Sequence, residues 1–230
     1  PEQAQAMLRR MQRQHRDDEM MPKPNGTSYN IVLGCWSSSS VHNKEQAADQ
    51  AEALLRQMRA SRDVRMTSQS YKYVISALAK VGEGKRAEAW LTQLVKDYND
   101  QFDAELKPDV EPFQSVLRAY SFSHHPDAAL RAESVLTHMR ELYQSEHLDT
   151  QPNVWSYNIV MRCWAQSKSP EAYQRAKSVL DDMQTHGVQP DTTSINTVLN
   201  ACASSRNGNA SQAQELLLEF YQRYVEDHHR

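Results

Sequence analysis

Few residues in this chain have both the type and the spacing for bond-making chemistry. His124-His125 and His228-His229 are adjacent pairs in loop or tail settings, with no partner at metal-ligand spacing. Cys35, Cys163 and Cys202 form neither a disulfide framework nor a zinc pattern, and they fit a reducing compartment. The stretch "VGEGKRAEA" from Val81 lacks the spacing of a phosphate-binding loop and reads as a turn that opens a helix. No Ser-His-Asp or Cys-His set can be singled out. The chain therefore reads as non-enzymatic, with no catalytic residue, no cofactor and no metal. What recurs instead is a series of polar side chains able to recognise rather than react: Asn30, Lys72, Gln114, Asn158 and Asn196. An amide offers a donor and an acceptor together, which suits the edge of an unpaired base.

These residues recur because the elements around them recur. "PNGTSYNIVLGCW" from Pro24 returns as "PNVWSYNIVMRCW" from Pro152, and weaker copies begin at Thr67, Pro108 and Pro190. Each copy places apolar residues at i, i+3, i+4 and i+7, one face of a helix. The sets are Tyr29, Val32, Leu33, Trp36; Tyr71, Val74, Ile75, Leu78; Phe113, Val116, Leu117, Tyr120; Tyr157, Val160, Met161, Trp164; and Ile195, Val198, Leu199, Cys202. A second phrase follows each, an alanine and then large apolar residues at the same spacing: Ala51, Ala87, Ala132, Ala176 and Ala213 lead these sets. The chain opens on that second phrase alone, with Ala4, Met7, Leu8 and Met11. Asn25, Asp109, Asn153 and Asp191 are placed to cap the first helices, and Ser169 with Pro170 to start a second one. "HGVQPD" from His186 supplies a glycine stop followed by proline.

A pair of helices cannot bury its apolar face alone, so the pairs must stack on one another. The expected fold is all-α, a right-handed superhelical solenoid in one continuous repeat domain. Residues 1–25 hold the second helix of a partial repeat, and the repeats span 26–67, 68–109, 110–153, 154–191 and 192–230. The connections from Ser37, Lys96 and Arg140 are longer than the others, which costs surface loops little. With 39% hydrophobic residues and no long apolar run, nothing spans a membrane. The first twenty residues lack the apolar core of a secretory signal and are too acidic for a transit peptide; a targeting segment could precede residue 1 in a longer parent chain.

The net charge of −3 argues against whole-surface attraction to a nucleic acid. Its distribution is uneven, however. The first-helix segments carry Lys72, Lys80, Arg118 and Arg162 against Glu111, so the acidic residues lie mainly on second helices and loops. A mildly basic face within an acidic chain can follow a phosphate backbone.

"WSYNIVMRCW", "AKSVLDDM" and "HGVQPD" across one unit, with "TSYNIVLGCW", "AEALLRQM" and "SYKYVISALAKVG" in others, resemble the pentatricopeptide repeat family. The tetratricopeptide family, the nearest helix-pair alternative, has a Trp-Leu-Gly-Tyr pattern that is absent here. Departures from the family are the longer units, Met66-Thr67 in place of a closing Pro-Asp, and Pro112 inside a first turn. The resemblance implies a non-catalytic binder of single-stranded RNA rather than DNA, in mitochondrion or plastid, acting in RNA processing, stability or translation. It implies that the residue after each Tyr position, Asn30, Lys72, Gln114, Asn158 or Asn196, faces a base together with the unit's last residue. Those last residues are Thr67, Asp109, Asn153 and Asp191. Asn158 with Asp191 is the pairing that implies uracil. Lys80, Arg118 and Arg162 are the candidates for phosphate, and Trp155 for stacking on a base. The alternative is a protein-binding scaffold, or a structural subunit of a large ribonucleoprotein, meeting protein partners through the long loops. Capping alone also explains Asp109, Asn153 and Asp191.

Overall fold

A computed structural model of the chain describes residues 1–39, 43–61, 63–123, 125–205 and 210–228. Among the described residues there are eleven α-helices, one short 3-10 turn at Ala104–Leu106, and no strand. The first-type helices are α2 (Gly26–Ser37), α4 (Ser68–Ala79), α6 (Val110–Phe122), α8 (Val154–Gln166) and α10 (Thr192–Ser204). The second-type helices are α1 (Glu2–Asp17), α3 (Lys44–Ala60), α5 (Gly84–Gln101), α7 (Ala128–Gln144), α9 (Ala172–Thr185) and α11 (Ala210–His228). The two types alternate along the chain and separate into two layers. Consecutive first-type helices pack directly on one another, and each second-type helix packs on the first-type helices before and after it. The architecture is an all-helical solenoid.

Local chemistry sets the helix ends. Asn25, Asp109, Asn153 and Asp191 each accept a backbone N–H of the first turn through a side-chain oxygen. Gly187 takes φ +75°, and the next N–H, of Val188, returns to the Met183 carbonyl, closing α9 with a left-handed turn. At the start of α9 the expected cap is displaced. Ser169 Oγ accepts from the Glu171 N–H, but 169–171 form a turn and the helix begins at Ala172. Pro170 thus precedes the helix instead of opening it. The loop from Ser37 lies partly outside the described residues.

The helical stripes form one continuous core. Tyr71, Phe113, Tyr157, Leu33, Ile75, Leu117 and Met139 are fully enclosed, each burial contributing roughly 1.5–3 kcal/mol. A polar ladder fixes the order of stacking. The residue after the leading alanine of each second-type helix is an acceptor: Gln5, Glu52, Glu88 and Glu133. Each receives a ring N–H or O–H from an aromatic in the next unit, from Trp36 at 2.9 Å, Trp90 at 3.0 Å, Tyr120, and Trp164 at 2.8 Å. Each also meets the residue before the next leading alanine: Gln50 at 3.2 Å, Arg86 at 3.0 Å, Arg131 at 3.1 Å and Arg175 at 3.6 Å. The last interface breaks the rule. Lys177 holds the acceptor place and pairs with Glu219 at 3.1 Å.

Candidate nucleic-acid interface

Because first-type helices lie side by side, the residue after each Tyr position does not point away from the stack. It reaches the N-cap of the next first-type helix. Asn30, Lys72, Gln114 and Asn158 are half-buried, wedged between consecutive units. Asn30 Nδ2 lies 3.4 Å from Thr67 Oγ1, Gln114 Nε2 donates to Asn153 Oδ1 at 3.4 Å, and Asn158 Nδ2 donates to Asp191 Oδ1 at 3.2 Å. Four slots result, each built from two units. Asn196, on α10, is exposed.

Two buried serines orient the slots, and sequence reasoning missed them. Ser70 Oγ donates to Asn30 Oδ1 at 2.7 Å, and Ser194 Oγ donates to Asn158 Oδ1 at 2.7 Å. Both serines are fully enclosed. Their signal was present in the sequence: Ser28, Ser70, Ser156 and Ser194 stand one residue before each Tyr or Ile of the stripe. Each oriented amide keeps one Nδ2 hydrogen and a carbonyl lone pair for an outside partner. In the fourth slot, burial favours the neutral acid of Asp191. The Ser194 N–H and hydroxyl and the Asn158 amide outweigh it and hold the carboxyl below its ordinary range.

The second slot is different. Lys72 Nζ sits 2.6 Å from Asp109 and 3.1 Å from Glu111. Burial disfavours its charge, but the two carboxylates outweigh burial and raise its pKa. Pro112 stands where the orienting serine of the next unit would be. The slot is filled by its own ion pairs.

The candidate phosphate ligands also divide. Lys80 donates to the Ser37 carbonyl, closing the end of α2; Ser204 makes the same reach to the Ala165 carbonyl at 2.9 Å. Arg162 donates to Ser121 Oγ at 2.7 Å and lies 5.9 Å from the Phe122 ring centroid. Arg118 has no carboxylate partner among the described residues. Trp155, in the first turn of α8, is exposed, at the repeat position that Glu111 holds in the third unit.

Elsewhere, burial pushes the Cys163 thiol up to about 12, which leaves it a packing residue at neutral pH. His125 contacts Lys85 at 2.7 Å and lies 3.6 Å from Asp127. His124 and the His228-His229 side chains lie outside the described residues. Among those described, no three His, Cys, Asp or Glu side chains gather as a metal site would require, and no helix is long and apolar enough to cross a membrane. The long loops after α5 and α7 meet through Lys107 and Asp149 at 2.5 Å. Exposed Phe102 lies at the head of the first, at φ 49°.

Fold and slots together define a helical-hairpin repeat protein whose units meet through recurrent polar pairs. Residues 152–204 match the PPR repeat family, and the same two-helix unit recurs along the rest of the chain. Over the matched stretch the chain is similar to the PPR repeat family. The crystal structure of the pentatricopeptide repeat protein PPR10 from maize shares its fold, with a TM-score of 0.54 at 23% identity over 88% of this chain and 25% of that one. This chain thus spans about a quarter of PPR10. PPR10 in complex with an 18-nt psaJ RNA element aligns at a TM-score of 0.38 and 20% identity, over 88% of this chain and 30% of that one. That superposition is too loose to carry an argument. No curated protein matches the sequence.

Proposed function

We propose that the chain binds single-stranded RNA along the face of its first-type helices, without catalysis, and that its slots select bases. The observation that carries this reading is the repeated amide at the junction of units, hydrogen-bonded on one side to the cap of the next unit and open on the other. A side chain oriented in this way discriminates bases at little ordering cost, because its rotamer is already fixed. Slots one, three and four, built on Asn30, Gln114 and Asn158, are the readers. Slot two reads nothing while Lys72 is held by Asp109 and Glu111, so the bound RNA carries an unread position between two read stretches. Asn158 with Asp191 selects uracil. Asn196 would face a base with a partner beyond the described slots. Arg118 supplies the phosphate contact, Arg162 a weaker one because Ser121 and Phe122 already engage it, and Trp155 stacks on a base. The similarity of residues 152–204 to the PPR repeat family supports this reading and points to an organelle and its RNA processing.

Retention of a random RNA pool at low and moderate salt, followed by sequencing, tests the proposal. The expected result is a short motif with uracil opposite the fourth slot, lost in Asn158→Ala. Retention without any motif would reduce the slots to helix caps. No retention at low salt would leave the scaffold reading, in which the loops bearing Phe102 and Asp149 meet a protein.

A further inference from the structure

The second-type helices form the layer that does not carry the slots, and their arginines follow a rule. Each of the six on α3, α5, α7 and α9 is ion-paired: Arg56, Arg59, Arg86, Arg131, Arg140 and Arg175. The arginines of α1 depart from it. Arg9, Arg13 and Arg16 stand at i, i+4 and i+7, on one face of the helix. All three are exposed, with no hydrogen bond or ion pair among the described residues.

Their exposure belongs to the repeat position and does not depend on what packs ahead of α1. Counted from the leading alanine, Arg13 matches Ala60, Lys96, Glu141 and Thr185, all of them exposed within the stack. Arg9 matches Arg56, Thr92 and Asp181, also exposed, and half-buried Thr137. Arg16 matches exposed Asn99 and Gln144. Arg10 does not belong to the row, because its place is the one from which Asp182 meets Arg140 of the preceding unit at 2.8 Å. The row is charge without an apolar anchor. Ala6, Gln5 and Gln12 flank it, and the two glutamines are engaged by Trp36 and Tyr29. Glu2 and Asp17 bound it at the two ends, and neither pairs with an arginine. A protein interface centres on desolvated aromatic or apolar residues, and a helix lying on a membrane needs such residues beside its cations. A phosphate backbone needs neither. The helical rise spaces the three positions about 6 Å and 4.5 Å apart along the axis, a row that suits a chain of phosphates better than one small anion. Each guanidinium can hold a phosphate through two parallel N–H donors.

We propose that Arg9, Arg13 and Arg16 form a second RNA contact, independent of sequence, on the outer face of α1. It holds the phosphate backbone of the strand that flanks the stretch lying in the slots. The inference rests on the RNA reading of the slots and adds to it a path for the strand onto the other layer.

Two RNAs test it. One spans the slots alone; the other is the same RNA extended at both ends by abasic ribose-phosphate, which offers phosphates with no base to read. The full chain is compared with its triple variant Arg9→Gln, Arg13→Gln and Arg16→Gln, whose thermal midpoint should match the parent's because the three side chains have no partner to lose. The parent should bind the extended RNA more tightly than the short one, and the variant should lose that gain while binding the short RNA as the parent does. Three contacts at about 0.7 each should lower the variant's salt slope on the extended RNA by about 2, so parent and variant should converge roughly 15- to 20-fold between about 50 and 200 mM salt. Equal affinity of the parent for both RNAs overturns the second contact and leaves the slots standing. An equal loss on both RNAs in the variant also overturns it, because the arginines then act only as a general field. A parent that binds neither RNA overturns this contact and the slot reading together. Tighter binding of the parent to polyglutamate than to the abasic extension alone, abolished in the variant, overturns it in favour of an acidic protein.

Discussion

Rebuilding the second slot as a copy of the fourth is the sharpest test of base reading. The perturbation is Lys72→Asn with Glu111→Thr and Pro112→Ser, which recreates the Asn158, Asp191, Thr193 and Ser194 set around Asp109. The new amide would receive the hydroxyl of residue 112 on its oxygen, as Asn158 receives Ser194 at 2.7 Å, and would donate to Asp109. Breaking the ion pairs of Lys72 with Asp109 and Glu111 costs little stability, because both carboxylates are more than half exposed and such pairs contribute about 0–1 kcal/mol each. A base-edge hydrogen bond from a fixed donor contributes roughly 1–2 kcal/mol, so affinity for RNA with the preferred base there should rise about 5- to 30-fold. The charge change is zero, since one cation and one anion are both removed. The slope of log affinity against log salt should therefore stay as in the parent chain. Filter binding across a salt series, with RNAs differing only at that base, measures both quantities. A parent chain that already discriminates at that base would refute the closed slot. A variant that binds more tightly to every RNA alike, with a steeper salt slope, would show that charge and not base reading governs the face.

Further expectations follow from the same contacts. Arg118→Ala should weaken all RNAs alike and lower the salt slope by about 0.7, whereas Asn158→Ala should change base preference at one position; equal effects on all RNAs from both would refute the division of roles. Arg86→Ala removes the two charged hydrogen bonds that Glu52 receives from Arg86 and leaves it paired with Arg56 and Trp90, so it should cost roughly 1–3 kcal/mol in denaturant unfolding; no measurable loss would show the ladder to be ornamental. Burial raises the pKa of Glu52, but Arg86, Trp90 and Arg56 outweigh it and hold the carboxyl below its ordinary 4.5. Its folded pKa is thus the depressed one, so its stabilisation is full above pH 4.5 and is lost as pH falls through that lower value. Glu52→Gln should flatten this acid limb of the stability profile, and an unchanged limb would contradict the assignment. Gly84→Ala should destabilise despite better helix propensity, because its Cβ would lie 2.5 Å from the Tyr120 ring; a thermal midpoint at or above the parent's would show that the ring can move aside.

The all-helical repeat was legible because every unit restates the same i, i+3, i+4, i+7 stripe around residues such as Tyr29, Tyr71 and Tyr157, and a stripe of that period has one solution. The caps were legible for the same reason, since Asn153 or Asp191 before a stripe acts within one turn of its own helix. The start of α9 was misplaced by two residues, because proline is tolerated either in a helix's first turn or just before it. Sequence also placed the face of the first helices, but it could not establish what each polar residue meets. Lys72 and Asn30 occupy the same register, and one closes its slot while the other leaves it open. The difference comes from Asp109, Glu111 and Pro112 on the next helix, far along the chain. Lys80 read as a free cation until the end of α2 was seen beside it. Ser70 and Ser194 read as ordinary small residues until stacking aimed them at amides in the preceding unit. Periodicity is a property of one helix and is written in a short window of sequence. Partnership across a stack depends on which side chains two helices bring within about 3 Å of each other, and only the packed structure decides that.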